Sequence, residues 1–410
     1  MDAVATDTAA TGAALPKSPS RASFGSSSAA DATLCGPAEA PGAAAAEAAC
    51  AHSREIALVD LSPDELDIAR ELGARAPETI ECLRINRCRM DGGAFAALVD
   101  VLCAHALPRL HTVDISQNQV GGAAGGAALA RLLAHARGVR TLALGWNQLA
   151  LADLRALVAP GAPAYGIQHL DLRANPLGAP LQARGRRSRT PPAAGDGDAW
   201  VGGLVAAMPR LTHVLLAQAT VDDATLVALL HALTGPRARL EYVGLEWLGL
   251  GGRLATVRSI MSRLAPADLA GRALPLHLNL ASNSLGDSGV KIIAESGAML
   301  TGLTLACNFI TERGTRALAA WLPRSGLAML ELSDNHFGDQ GIASLVAVDA
   351  ARAPPAPPYT AITSLGLNSC CLSDASLRML SDALLCGWAP LASLRILRNS
   401  RISPGARVPL

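Results

Sequence analysis

The side chains best placed to do chemistry in this 410-residue chain are three histidines and a tyrosine: His169, His213, Tyr242 and His277. Imidazole nitrogens are common zinc ligands, but a zinc site also needs a defined full ligand set. The sequence offers no clear fourth ligand, so no metal and no cofactor are expected. Close to Tyr242 stand Glu246 and Trp247, with Trp146 and Arg173 upstream. Aromatic residues make up only 3% of the chain. Trp, Tyr and Arg are the types that dominate protein-binding hot spots, so these few side chains point to a protein partner. Five further acids, Asp223, Asp287, Glu312, Asp339 and Asp374, resemble catalytic carboxylates in isolation. They recur at one place in successive segments, which assigns them to helix N-termini, where negative charge complements the helix dipole. The chain holds no GxxxxGK[ST], HExxH or GxSxG. Asp196 and Asp198 in GDGD lack the rest of a calcium loop. The expectation is a protein without catalytic activity.

What positions these residues is a repeat. The template LxxLxLxxNxL, with Ile, Val or Met allowed for Leu and Cys for Asn, starts at Ile80, Leu110, Val139, Ile167, Leu211 and Leu240, then at Pro275, Leu300, Leu327, Ile362 and Leu391. These are units one to eleven, and IALVDLSPDEL from Ile56 is a degenerate additional unit expected to act as an N-terminal cap. Alternating leucines at the fourth and sixth places mark a short strand with both side chains turned inward. The Asn at the ninth place closes the turn that follows. Its amide both donates and accepts, so it can satisfy backbone groups left over between neighbouring turns. Ala219 and Leu248 replace it in units five and six. After each template come GDSG, TERG, GDQG, SDAS or DDAT, whose first residues, Gly286, Thr311, Gly338, Ser373 and Asp222, are N-cap types. Apolar residues at helical spacing complete a strand–turn–helix unit. GGAAGG (Gly121–Gly126) opens such a helix and is not a dinucleotide loop.

In this register His169, His213, Tyr242 and His277 all hold the third place of consecutive units. Adjacent strands lie about 4.8 Å apart, so their rings are expected to form a column on one face of the sheet. The third, fifth, seventh and eighth places form the face expected to be exposed, including Thr304. Trp146 and Trp247 both hold the eighth place, three strand spacings or roughly 15 Å apart. Basic entries on this face are Arg84, Arg87, Arg173, Arg395 and Arg398; acidic ones are Asp114, Asp171, Glu246, Glu331 and Asp334. Such a balance does not suit a nucleic-acid groove, which needs one sign of charge. The expected partner site comprises Trp146, Tyr242, Glu246, Trp247, Arg173, His169 and His213.

With its units of the form LxxLxLxxNxLxxxGxxxLxxxL and the turn glycines Gly289, Gly314 and Gly341, the sequence resembles the ribonuclease-inhibitor-type leucine-rich repeat proteins. The resemblance spans about residues 56–400. It implies an α/β solenoid, a right-handed horseshoe with parallel strands on the concave face and helices on the convex face. It implies no single function, because the fold serves many binding roles. The chain lacks the dense cysteines of ribonuclease inhibitor itself. The family also includes the Ran GTPase-activating proteins, which makes a regulator of a small GTPase the alternative to a protein-interaction scaffold. Those proteins carry an acidic tail, whereas this chain ends RNSRISPGARVPL, and their catalytic arginine matches no position here. A sensor fragment of an immune-type receptor would need a nucleotide-binding domain not found in this sequence.

Residues 1–53, rich in Ala, Ser, Thr, Gly and Pro, are expected to be a disordered tail, and residues 54–410 the repeat domain. KSPSRAS within the tail is a candidate phosphorylation target. Two insertions, near 182–199 and 351–360, are expected on loops; the first carries Arg184, Arg186, Arg187 and Arg189, a candidate nuclear-import signal, with Ser188 and Thr190 as candidate phosphorylation sites. In the last unit Arg401 stands at an apolar place, so an ordinary C-terminal cap is not expected. Net charge is +1, no run of 18 apolar residues exists, and no secretory signal is visible. The nine cysteines form no CxxC pair. These features predict a cytoplasmic protein with free thiols, no membrane span and no attraction to nucleic acid.

Overall fold

A computed structural model describes residues 54–61, 77–158, 163–178, 196–234, 239–264, 274–347 and 360–403. Among the described residues, twelve parallel strands form one sheet in strict sequence order. They are β1 (Glu55–Val59), β2 (Cys82–Asn86), β3 (Thr112–Asp114), β4 (Thr141–Ala143), β5 (His169–Asp171) and β6 (His213–Leu215), followed by β7 (Tyr242–Gly244), β8 (Leu274–Asn279), β9 (Leu300–Thr304), β10 (Met329–Glu331), β11 (Ser364–Gly366) and β12 (Ser393–Arg395). The degenerate unit at Ile56 is β1, and it pairs with β2 through Ile56 opposite Leu83 and Leu58 opposite Ile85. The leucine-type residues at the fourth and sixth places form the core: Leu83, Ile85, Leu278, Leu280, Leu303 and Leu305 are all buried.

The helices on the other face are α1 (Gly92–Cys103), α2 (Ala123–His135), α3 (Asp196–Ala207), α4 (Asp223–Leu233), α5 (Leu254–Leu264), α6 (Gly286–Glu295), α7 (Glu312–Ser325), α8 (Gly338–Val346) and α9 (Asp374–Leu385). GGAAGG leads into α2, as the period requires. Unit three carries a 3-10 helix, Leu151–Val158, in place of an α-helix. Residues 1–53, most of the first insertion with its arginines, Ser188 and Thr190, and residues 351–359 lie outside the described residues. The end of the first insertion departs from the expected loop. Asp196–Trp200 begins α3, and Thr360 is buried, its N–H and hydroxyl both donating to the Trp388 carbonyl. Arg401 is exposed and forms an isolated parallel bridge with Ser373.

The asparagines bind one unit to the next. The Asn308 Nδ2 donates to the Leu280 carbonyl (2.9 Å) and to the Ala306 carbonyl (3.0 Å). Its Oδ1 accepts from the Asn283 and Leu285 N–H groups, each at 3.1 Å. Asn283 repeats this pattern on unit six, Asn335 on unit eight and Asn399 on unit ten. At two rungs cysteine substitutes: the Cys88 Sγ donates to the Leu58 carbonyl and the Cys370 Sγ to the Leu332 carbonyl.

A second regularity concerns backbone strain. The eighth place is left-handed in unit after unit: Arg87, Gln117, Trp146, Ala174, Gln218, Trp247, Ser282, Cys307, Asp334, Ser369 and Arg398 all have φ between 52° and 60°. Such a conformation costs a non-glycine residue about 1 kcal/mol or more. A hydrogen bond to the following unit accompanies it, as from Trp146 N–H to the Arg173 carbonyl (2.8 Å) and from Ser282 N–H to the Ala306 carbonyl (2.9 Å).

The repeated acids do more than complement their own helices. The Asp287 carboxylate accepts from Thr311 N–H (2.8 Å), from the Thr311 hydroxyl and from Gly314 N–H, so it caps the helix of the next unit. Asp339 takes Ser373 and Ser376 of unit ten in the same way, and Asp374 takes Ser403. Burial alone would raise the Asp339 carboxyl, but hydrogen bonds from Ser376 and Ser373 outweigh it and hold it below the ordinary range. Thr311, Ser373 and Asp222 are N-caps, as their types suggest. Gly286 and Gly338 are not: each is the first residue of its helix, at φ 56°. Their role is to supply the left-handed turn into the helix.

Replacing Asn308 with Ala leaves the buried Asn283 and Leu285 N–H groups without a partner, while the Leu280 and Ala306 carbonyls keep the Asn283 amide and the Ser282 N–H as donors. Each buried, unsatisfied group costs on the order of 1–3 kcal/mol. Asn308→Ala is therefore expected to lower Tm by several degrees, against no measurable change for the exposed Arg316→Ala, in thermal melts followed by circular dichroism.

Candidate functional site

The ring column forms. Strand register sets His169 opposite His213, His213 opposite Tyr242, and Tyr242 opposite His277. Successive ring centroids lie 4.4, 5.9 and 5.2 Å apart. The column ends over Gly302 on β9, where a Cβ would sit 2.8 Å from the His277 ring. The Thr212 hydroxyl donates to the Gln168 carbonyl, so toward His213 it acts as acceptor and the His213 Nδ1 carries the proton. The His277 Nε2 shares a hydrogen bond of 2.8 Å with the Thr304 hydroxyl.

Beside the column lies a buried polar knot. The Asn279 Nδ2 donates to the Tyr242 hydroxyl (2.9 Å) and to the Glu246 Oε1. The Glu246 Oε2 is buried, without a hydrogen-bond partner, and packs over Gly244, where a Cβ would meet it at 2.7 Å. Burial pushes the Glu246 carboxyl above the ordinary carboxylate range and pushes the Tyr242 phenol up as well. Burial also holds His277 and His213 down, each to about 4; the neighbouring His169 adds to the effect at His213. His169 itself is lowered by burial. At neutral pH the three rings are therefore uncharged.

Several expectations need correction. Tyr242 is 6% exposed because its ring is held between His213 and His277 and its hydroxyl is taken by Asn279, so it is a floor of the site and not an exposed contact. Thr304 is buried for a related reason, lying under the edge of His277. The charges of the concave face are largely spent on one another. Arg173 pairs with Asp171 (2.8 Å), Arg87 with Asp60 (2.8 Å), Arg84 with Glu55 (3.1 Å), and Arg395 reaches Glu331 across β11. That last contact exists because Gly366 leaves the space between them open. Arg173 remains half-exposed at the edge of the knot.

Trp146 and Trp247 differ from all these. They are 54% and 61% exposed. The left-handed backbone at the eighth place turns each indole off the sheet, and the intervening residues at that place, Ala174 and Gln218, do not cover them. Sequence reasoning missed Asn279, Gly244 and Gly302. A signal was present at Gly302, which stands opposite His277 on the adjoining strand.

The sheet, the asparagine rungs and the capped helices define the class: the chain is a leucine-rich repeat protein with units of the ribonuclease-inhibitor type. A family model described as Leucine Rich repeat matches residues 276–294 and 329–346, in units seven and nine. The pig (Sus scrofa) ribonuclease inhibitor is 28% identical over 286 residues, which cover 65% of this chain and 60% of that protein. The human NACHT, LRR and PYD domains-containing protein 13 is 30% identical over 205 residues, covering 48% of this chain. The chain spans only 18% of that relative's length and less than two thirds of the inhibitor's. Among solved structures, an internalin from Listeria monocytogenes is 15% identical, covering 80% of this chain and 83% of its own, with a TM-score of 0.33. No helix among the described residues is long and apolar enough to cross a membrane, and no group of His, Cys, Asp and Glu among them could hold a metal ion. The seven described cysteines are free thiols.

The shifted groups predict a two-sided pH dependence. A histidine held below its ordinary 6.5 in the fold binds its proton more readily when unfolded. Its contribution to stability is therefore complete above pH 6.5 and is lost as pH falls through about 4. Glu246, raised in the fold, acts in the opposite sense: its contribution is complete below the unfolded carboxylate value and is lost as pH rises through the folded one. Denaturant titrations of a His213→Phe/His277→Phe variant are expected to show a shallower loss of stability between pH 6.5 and 4 than the parent chain. Glu246→Gln is expected to raise Tm more at pH 7.5 than at pH 5.

Proposed function

We propose that the protein is a non-catalytic scaffold that binds a protein partner on the concave side of its repeat domain. Trp146 and Trp247 are the anchors, and the floor between them is built from His169, His213, Tyr242 and Glu246, with Arg173 at its edge. The single observation that supports this reading most is the exposure of the two indoles on a face whose arginines are largely paired with carboxylates. A rigid backbone holds them, so little conformational entropy opposes their use. The neutral ring column supplies a flat, partly polar surface and no strong field. The name of one relative, ribonuclease inhibitor, describes a protein that acts on a ribonuclease, which is in keeping with binding through such repeats. The small-GTPase alternative rests on repeat type alone and is not carried further. Free thiols are in keeping with a cytoplasmic setting.

The test begins with affinity capture on the full chain, followed by titration of the captured partner against single variants. Truncating a true anchor costs about 2 kcal/mol or more. Trp146→Ala and Trp247→Ala are each expected to weaken binding at least about tenfold while leaving Tm nearly unchanged, since each residue is more than half exposed. Normal binding by both variants would remove the concave anchors from consideration.

A further inference from the structure

On the convex side, α6 and α7 leave a cleft of about 660 Å³ between them. Its walls carry Lys291, Arg313, Arg316 and Arg324 against a single acid, Glu295. Its floor is small and apolar: Ala294, Ala317 and Ala320 over the buried Trp321, whose Nε1 is already committed to the Ala298 carbonyl. Four cations facing one acid stand out in a chain whose net charge is +1. On the concave face the arginines meet carboxylates at close range; here they do not. Lys291 lies 3.7 Å from Glu295 and Arg316 lies 4.0 Å from Glu312, loose pairs between exposed side chains. Exposed pairs of this kind contribute little and open easily. Arg313 and Arg324 are exposed, and among the described residues neither meets a carboxylate within ion-pair distance. The helices on either side do not cancel this field. α5 presents exposed Arg258 and Arg263, and the only charged residue of α8, Asp339, is consumed by Ser373 and Ser376.

The spacing of the cations selects among anionic ligands. Arg313 and Arg324 are eleven positions apart on α7, which at about 1.5 Å per residue places their Cα atoms roughly 16 Å apart. One phosphate group cannot engage both. Nucleic acid would meet Glu295 and Glu312 beside the cations and would find no exposed aromatic ring in the cleft on which to stack. A helix about three turns long, with carboxylates near both ends of one face, matches the separation, and a floor of alanines lets a second helix approach closely. Arginine also binds carboxylates through two parallel hydrogen bonds, which fixes orientation. We propose that the α6–α7 cleft is a second interaction surface, one that docks an acidic helical segment of a protein partner. It is distinct from the concave anchors and does not depend on them.

The test uses the full chain and a fluorescein-labelled amphipathic peptide of Ala, Leu and Glu, with Glu clustered at both ends of one face, beside the same peptide with Gln in place of Glu. Fluorescence anisotropy is expected to show the Glu peptide binding at least about tenfold more tightly than the Gln peptide, with affinity falling as salt rises. Arg313→Glu/Arg324→Glu should reduce that binding at least about tenfold, and Arg313→Gln/Arg324→Gln by less, while Arg210→Glu, a remote exposed arginine, leaves it unchanged. Circular dichroism melts establish that the variants remain folded. Hydrogen exchange on the complex should show protection at residues 291–297 and 313–324. Equal binding of the two peptides, indifference to the charge reversal, or protection elsewhere would overturn the proposal. So would displacement of the peptide by millimolar inorganic phosphate, or tighter binding of a short single-stranded DNA oligonucleotide, which would mark a general anion or nucleic-acid surface.

Discussion

The structure depends on one interaction, the buried asparagine amide that joins each turn to the next. A parallel strand of three residues cannot hold a unit in place by its own ladder. The turn that follows it carries N–H and C=O groups pointing inward, where water does not reach. Asn283, Asn308, Asn335 and Asn399 take up these groups on both sides at once, two donors and an acceptor reaching two units. Stacking order and strand register follow from this, because a unit displaced by one residue would leave the amide and its backbone partners unpaired in the interior. Cys88 and Cys370 serve at two rungs with weaker donors, and Ala219 and Leu248 leave units five and six without a rung of their own, spanned in part by Asn175 and Asn283.

Locked register has consequences on both faces. On the concave side, identical template places are stacked at strand spacing, so three imidazoles and a phenol at the third place have nowhere to go but into a column. Once stacked they are partly dehydrated, and they are held neutral. The same density buries Tyr242 and Asn279 and half-buries Glu246, and turns Glu246 from an exposed acid into one raised above its ordinary value by its surroundings. The left-handed eighth place acts the other way. Its arginines, glutamines and tryptophans are exposed, so both indoles are left largely in solvent, while Ala174, Ser282, Cys307, Asp334 and Ser369 are half-buried.

On the convex side the turn acids reach forward to the helix of the next unit. Asp287 and Asp339 spend their charge on N–H and hydroxyl groups one repeat away, so they do not neutralise the arginines that follow on the exposed stripes. This is why α7 carries cations with little compensation while its N-terminus is well capped. The concave and convex faces thus differ in kind: one is charge-balanced with two exposed aromatic side chains, the other locally basic over a small apolar floor.

The sequence by itself determined the repeat, its inward leucines, the asparagine rungs and the ring column, because each follows from period alone: residues at the same template place must be neighbours once the units stack. It also determined that Thr311, Ser373 and Asp222 cap helices, since capping is local. Only the tertiary structure decided how far side chains reach between units. Asp287 was legible as a first-turn acid but not as the cap of the following helix. Arg395 was legible as a concave residue but not as the partner of Glu331, two strands away, which requires the absence of a side chain at Gly366. Tyr242 and Thr304 stood at places the period marks as exposed, yet neighbouring rings cover them, and a template that records which residues are adjacent does not record their volumes or rotamers. The cleft between α6 and α7 belongs to the same class: it depends on small residues from two helices meeting at one place, a property of packed surfaces and not of spacing along the chain.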